Sequence, residues 1–152
     1  MYAFLDVMAN HERFTDHMLR DWVCSGPATG VGAKARVTSV LGGRRLPVEI
    51  EVVDAVAGER TTERNVSSGG RRVGHGTYTL SDLPSGGTRV TFTYGWQRAP
   101  IEDRLLAPVI RPAMRRALQR SLDRLADELA LPDPAGHDAG RGGPASLSSS
   151  AR

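Results

Sequence analysis

Two histidines and two aspartates lie close together near the N-terminus, at His11, Asp16, His17 and Asp21. A histidine whose imidazole is oriented by a carboxylate can act as a general base. The spacing of His11 and His17 fits neither an i, i+4 pair on a helix nor a zinc signature. Because such neighbours are common in polar loops, we favour a structural role for this segment.

Two arginines lie within predicted strands. Arg64 shares one parity with Thr62 and Val66, whereas Arg36 lies on the parity opposite Val37. A buried arginine needs a carboxylate partner, either in the protein or on a ligand. An exposed strand face is the main alternative, since arginine is rarely fully buried. We predict Arg64 as a ligand-binding residue and assign no catalytic residue.

The clearest strand pattern in the chain is GTYTLSDLPSGGTRVTFTYGW at residues 76–96. Two runs alternate large and small residues around a Pro-Ser-Gly-Gly turn, and side chains alternate across a strand, so each run places its large groups on one face. These large residues are Tyr78, Leu80, Val90, Phe92, Tyr94 and Trp96. Tyrosine and tryptophan carry polar atoms that need partners when buried. The face therefore forms either ordinary core or the wall of a pocket, and the pattern leaves both open.

The length of 152 residues suits one domain with a substantial core. No stretch is apolar enough to span a membrane, and no signal-peptide pattern opens the chain, so a cytoplasmic protein is expected. The single cysteine, Cys24, is predicted to be a small buried side chain. The net charge of +3 is spread over arginines interspersed with acidic residues, so we expect no nucleic-acid partner. No motif indicates a metal site or a cofactor.

The elements that would position these residues follow a simple order. Residues 1–9 have helical spacing, and residues 10–17 are predicted to form a loop or one helical turn. Six strands are then predicted as an antiparallel meander, because turn signals recur every few residues. They cover residues 18–25, 33–41, 45–53, 60–67 and the two runs of 76–96.

A long amphipathic helix is predicted from Glu102 to Ala130, since apolar residues recur at steps of three to four. It includes Met114 and Leu118 on the face expected to meet the sheet. Pro108 and Pro112 predict either a kink or a helix start at that point. Residues 131–152 are too polar and glycine-rich to bury a core and are predicted to be a disordered tail.

The motifs YAFLDVMANHERF, GVGAKARV, GHGTYTLSDLPSGGTRVTFTYGW and LDRLADELA, in this order, resemble the START/Bet v 1-like (SRPBCC) superfamily. The resemblance is to small bacterial proteins grouped as polyketide cyclases, dehydrases and lipid-transport proteins, and it covers about residues 1–130. It implies an α+β helix-grip fold, in which a curved antiparallel sheet wraps around the C-terminal helix and encloses an apolar cavity. In this superfamily a strand precedes the helix that here begins at Met1, so the resemblance implies a missing first strand. A sheet edge left exposed in this way is expected to be able to pair with a second copy of the chain.

The resemblance implies a small hydrophobic or aromatic ligand, lipid-like or polyketide-like, between sheet and helix. The residues expected to bind it are Tyr78, Leu80, Phe92, Tyr94, Trp96, Met114, Leu118 and Arg64. One alternative is a cyclase or dehydratase that works largely by positioning its substrate. A second alternative is a protein-interaction module without a ligand.

Overall fold

The computed structural model describes residues 1–41 and 43–130, so the predicted tail at 131–152 lies outside the described residues. Three short helical segments open the chain: α1 (Tyr2–Leu5), a 3-10 turn (Met8–Asn10) and α2 (His11–Thr15). Six strands follow: β1 (Leu19–Ser25), β2 (Lys34–Leu41), β3 (Arg44–Val56), β4 (Arg60–Ser67), β5 (Arg72–Asp82) and β6 (Thr88–Arg98). The last two elements are α3 (Ile101–Leu105) and α4 (Ala107–Ala130).

The six strands form one antiparallel sheet in the order β1-β2-β3-β4-β5-β6, which confirms the predicted meander. Glycines make the turns where the backbone needs positive φ, as at Gly58 (φ 77°) between β3 and β4. Register shifts interrupt β1, β3 and β5, and such bulges increase the bend of a sheet. With the long α4 closing the chain, this is the α+β helix-grip arrangement that was expected.

The C-terminal helix is broken near its start. The segment α3 ends at Leu105, and α4 then begins at Ala107 and continues to Ala130. Pro108 therefore lies in the first turn, where its missing N–H needs no partner, and Pro112 lies inside the helix. Pro108 thus marks a helix start, which is one of the two predicted outcomes, whereas Pro112 does not. Among the described residues no helix is long and apolar enough to cross a membrane.

The buried apolar residues form two clusters on different strands of the sheet. An aliphatic cluster contains Met8, Ala33, Ala35, Val37, Ile50 and Val52. An aromatic cluster contains Leu5, Phe14, Tyr78, Leu80 and Leu125. The first belongs to β2 and β3, whereas the second joins β5 to the N-terminal helices and α4. The strand β4 runs between them and contributes to neither.

The N-terminal region differs from the prediction in two ways. The helix predicted over residues 1–9 is two short pieces, because Val7 leaves the helical conformation and bridges Thr29. Cys24 was predicted to be buried, but it is exposed. A register shift lies between Arg20 and Val23 in the edge strand β1, and residues 23–25 beyond it are exposed. The cysteine therefore lies on a strand end that has left the core.

Candidate functional site

The space between the sheet and α4 contains several cavities, and two of them adjoin each other at β6. An inner cavity of about 110 Å³ lies over β3, β4 and β5 and reaches α2. An outer groove of about 710 Å³ lies between β6 and α4. The two spaces share the side chains of Phe92, Tyr94, Met114, Leu118 and Leu122. Their walls are mostly apolar, which is typical of a site for a hydrophobic molecule.

A strip of polar side chains lies on the inner face of β4, and two of them, Glu63 and Asn65, line the inner cavity. Successive residues of a strand point to opposite faces, and the face of β4 toward the helix carries Thr61, Glu63, Asn65 and Ser67. Three of them are buried, and Asn65 is half-buried. Buried polar side chains are costly unless they find partners, so an all-polar inner face within an otherwise apolar sheet marks a candidate site.

Glu63 faces His11, the first residue of α2. The Glu63 Oε1 atom lies 3.1 Å from His11 Nδ1, and both side chains are at most 6% exposed. The other ring nitrogen, Nε2, lies 2.7 Å from the carbonyl oxygen of Leu5. That carbonyl can only accept, so Nε2 carries the hydrogen and donates it. The contact with Glu63 is not aligned as a hydrogen bond, and Oε1 has no hydrogen-bond partner among the described residues.

The environment of His11 favours its protonated form. Burial by itself lowers the pKa of the imidazole, but the negative charge and close approach of Glu63, together with the Leu5 carbonyl, outweigh it. The pKa of His11 therefore lies above its usual 6.5. Burial, followed by the charge of Glu63, raises the pKa of Tyr78 well above 10.0. The site thus combines a buried ion pair with a tyrosine that stays neutral and can donate a hydrogen bond.

Aromatic rings enclose this ion pair. The ring of Tyr78 stands edge-on to His11 with centroids 5.7 Å apart, and Phe14 lies 5.3 Å from the imidazole. On its other side Tyr78 packs against Phe92, with centroids 4.4 Å apart. Packed rings exclude water, which lowers the local dielectric and strengthens the attraction between His11 and Glu63.

Two glycines of β5 make room for the rings of β6. A Cβ atom on Gly76 would lie 2.7 Å from Cζ of Phe92, and one on Gly74 would lie 2.5 Å from the hydroxyl of Tyr94. The rings therefore lie directly over the glycine backbone, with no space for a side chain there. A bulge also lies between Val73 and Gly74. The sequence pattern did not predict that Gly74 and Gly76 make room for two aromatic rings.

An ion pair between Arg72 and Asp103 holds α3 to the sheet and lies, with Trp96, in the wall of a third cavity of about 290 Å³. Arg72 Nε donates to Asp103 Oδ2 at 2.8 Å, and its Nη2 contacts the same oxygen. Asp103 is buried, whereas the arginine side chain is 20% exposed. Burial raises the pKa of Tyr94, partly offset by the positive charge of Arg72. Nearby, the indole N–H of Trp96 is buried without a hydrogen-bond partner among the described residues.

The predicted site residues fall into three groups. Those at the cavities are Tyr78, Phe92, Tyr94, Trp96, Met114 and Leu118. Leu80 is buried in the aromatic cluster but lines neither the inner cavity nor the outer groove. Arg64 is a correction: it pairs across the sheet with Glu51 and His75 and lies with Val66 on the opposite face. Its neighbours Glu63 and Asn65 point inward instead.

The two charged residues at the centre of the site were not identified from the sequence. His11 was interpreted as part of a polar loop near Asp16, yet its partner is Glu63, on a distant strand. In β4 we predicted Arg64, which shares its parity with Thr62 and Val66, as a ligand-binding residue, but that face points outward. No pattern in β4 distinguishes Glu63 from an acidic residue on an exposed face, because both faces of the strand carry polar residues.

Comparison with known proteins relates the chain to one family and one fold. The family described as polyketide cyclase/dehydrase and lipid transport matches residues 9–130. The crystal structure of TTHA0849 from Thermus thermophilus superposes with a TM-score of 0.62 at 19% identity, covering 84% of this chain and 86% of that one. The crystal structure of Ara h 8.0201 superposes with a TM-score of 0.52 at 14% identity, covering 81% and 87%.

Because the identity of both structures to this chain is low, the superpositions establish a common fold and nothing beyond the fold. Comparison with proteins of curated function gives no match. The family match covers most of the chain and both sides of the cavity, and such a family supports hydrophobic ligand binding in general. The chain therefore belongs to the polyketide cyclase/dehydrase and lipid-transport family.

Proposed function

We propose that this protein binds a small hydrophobic or aromatic molecule, lipid-like or polyketide-like, between the sheet and α4. The observation that carries this proposal is the pair of adjoining cavities with largely apolar walls, about 110 and 710 Å³ in volume. Burial of apolar ligand surface would supply most of the affinity. The unpartnered indole N–H of Trp96 and the buried hydroxyl of Tyr78 would orient the ligand.

Mass spectrometry under native and then denaturing conditions tests this proposal. A hydrophobic compound released at near-stoichiometric yield would support it, as would saturable binding of 1-anilinonaphthalene-8-sulfonate followed by fluorescence. Leu118→Trp should block binding, because Leu118 lies in the walls of both cavities. Ile101→Trp is the matched control, since Ile101 is 74% exposed and lies in neither wall. A wild-type protein that is empty and does not bind the dye would contradict the proposal.

A cyclase or dehydratase is the second candidate, and the buried His11–Glu63 pair favours it. A histidine paired with a carboxylate can transfer protons, and the neighbouring Tyr78 can donate a hydrogen bond to a carbonyl oxygen. Turnover of a poly-β-carbonyl substrate that is lost in Glu63→Gln or Tyr78→Phe would support this function. A ligand retained without chemical change would favour a carrier.

An interaction module is the third candidate, and the free strand edges favour it. Within the described part of the sheet, β1 and β6 each pair with one neighbour only. Unpaired N–H and C=O groups of an edge can pair with another chain, including a second copy in a homodimer. Light scattering at several protein concentrations measures the oligomeric state, and a monomer at all of them would exclude the homodimer.

The cytoplasmic location stays a prediction.

A further inference from the structure

The inner cavity contains a buried hydrogen-bond acceptor to which none of the described residues donates. Glu63 Oε1 is buried, is in ion contact with His11, and accepts no hydrogen bond from the described residues. Other polar groups of the same wall are already bonded: Thr15 donates to the carbonyl of His11 at 2.6 Å, and Ser121 donates to that of Ala117 at 3.2 Å. Of the fully buried side-chain atoms that have no hydrogen-bond partner among the described residues, Glu63 Oε1 is the one in the wall of the inner cavity.

The charges at this end of the cavity favour a neutral donor over an ion. The imidazole of His11 lies 3.1 Å from Glu63 Oε1 and already supplies the cationic partner of this carboxylate, so a buried cation would add a positive charge without a partner. An anionic ligand would meet the carboxylate of Glu63 directly and would be repelled. A hydroxyl group avoids both penalties and donates a charge-assisted hydrogen bond, which is stronger than a bond between neutral groups.

The surrounding walls favour an aromatic carrier for this hydroxyl. Tyr78 and Phe92 pack at 4.4 Å beside Glu63, and Leu118 and Leu122 face them from α4. Flat rings pack well against rings and aliphatic side chains. The outer groove adjoins the same residues, so the rest of the molecule would extend away from Glu63 toward Tyr94.

From this geometry we propose that the cavity selects apolar aromatic ligands that carry a neutral hydroxyl group, and that Glu63 accepts the hydrogen bond of that hydroxyl. This inference rests on the proposed function, because it names the chemical class of ligand for the same cavity. It assigns Glu63 as a ligand-binding residue and His11 as the positioning residue that balances its charge.

A pair of ligands of equal shape tests the inference on the wild-type protein. In 2-naphthol a hydroxyl replaces the methyl group of 2-methylnaphthalene, so both fill a cavity alike. Isothermal titration should show that 2-naphthol binds about 10- to 100-fold more tightly, which is the range for one hydrogen bond to a charged group. Equal affinities would overturn the inference and leave the proposed function intact. Failure of both ligands and of 1-anilinonaphthalene-8-sulfonate to bind would overturn both.

Variants then test whether Glu63 is the acceptor. Glu63→Gln keeps the shape of the side chain but removes its charge, so the preference for 2-naphthol should fall to about 10-fold or less. Arg64→Gln is the matched control, because it changes the adjacent residue on the opposite face of β4 and should keep the full preference. Circular dichroism establishes that each variant is folded. An undiminished preference in folded Glu63→Gln would overturn the assignment.

Discussion

The two apolar clusters of the sheet differ in composition and in what surrounds them. The aliphatic cluster on β2 and β3 consists of alanine, valine, isoleucine and methionine side chains, with Ala33, Ala35 and Val37 at most 3% exposed. The aromatic cluster on β5 includes Phe14 and Tyr78, and Tyr78 lines the inner cavity beside the ion pair, as Ile50 of the aliphatic cluster does from the other side. Aliphatic side chains supply close packing, whereas Tyr78 and the neighbouring ring of Phe92 add flat surfaces and a polar atom to the cavity wall.

This difference separates stability from binding within a single sheet. The aliphatic side supplies close packing, and the aromatic side supplies shape and polar atoms. The polar strip of β4 lies between them and has its charged member, Glu63, beside the aromatic side. Mutations in the two clusters should therefore have different consequences, and the following predictions test that separation in order of decreasing effect.

The largest effect is expected from Met8→Ala in the aliphatic cluster. Met8 is 2% exposed and lies in neither cavity wall, so the substitution leaves a hole in packed core. We expect the free energy of unfolding in urea to fall by about 2–5 kcal/mol, with dye binding by the folded fraction unchanged.

Val23→Ala is the control for this substitution, because Val23 is 64% exposed on β1, and its effect should stay within about 0.5 kcal/mol. If Met8→Ala weakened dye binding while hardly changing stability, the two clusters would not have separate roles.

A smaller loss of stability, but a clear loss of binding, is expected from Gly76→Ala. The added Cβ would lie 2.7 Å from the ring of Phe92, so the ring has to move into the cavity. Overpacking of this kind costs about 1–3 kcal/mol. Ser81→Ala is the control, since Ser81 is exposed on the same strand and lies in neither cavity wall. Equal binding by both variants would show that the seated ring is not part of the site.

The smallest effect is a dependence of stability on pH that comes from His11. Its pKa is raised above 6.5 in the folded protein, so the folded state holds the proton more strongly. The contribution is complete below pH 6.5 and is lost as the pH rises through the folded pKa, with a slope of at most about 1.4 kcal/mol per pH unit.

Urea unfolding from pH 6 to pH 9 measures this slope. The titratable groups that face the imidazole are Glu63 on β4 and Tyr78 on β5. The variant His11→Gln changes neither of these two groups. His11→Gln should flatten the profile relative to wild type. His75→Gln, on the other face of the sheet, should leave it as it is. A wild-type profile that rises with pH over this range would show that the folded protein does not favour protonated His11.

Much of the fold was predictable because its signals are local. Strand β4 was predicted at Arg60–Ser67, as observed, since turn residues bound it at both ends. The alternation in β6 correctly placed Phe92, Tyr94 and Trp96 on one face, because large residues alternate with threonine or glycine from Val90 to Trp96. In β4 both faces carry polar residues, so the alternation held no information about which face is buried, and Arg64 was assigned to the wrong one.

The order of elements, the meander and the long helix are thus determined by the sequence itself, through turn residues and the periodicity of apolar side chains within each segment. The contact between His11 and Glu63 was decided only by the tertiary structure. His11 and Glu63 are 52 positions apart in the sequence. No local pattern encodes which distant strand packs against a given helix. The curvature of the sheet brings α2 over β4, and burial then turns two ordinary polar residues into an ion pair with a free acceptor.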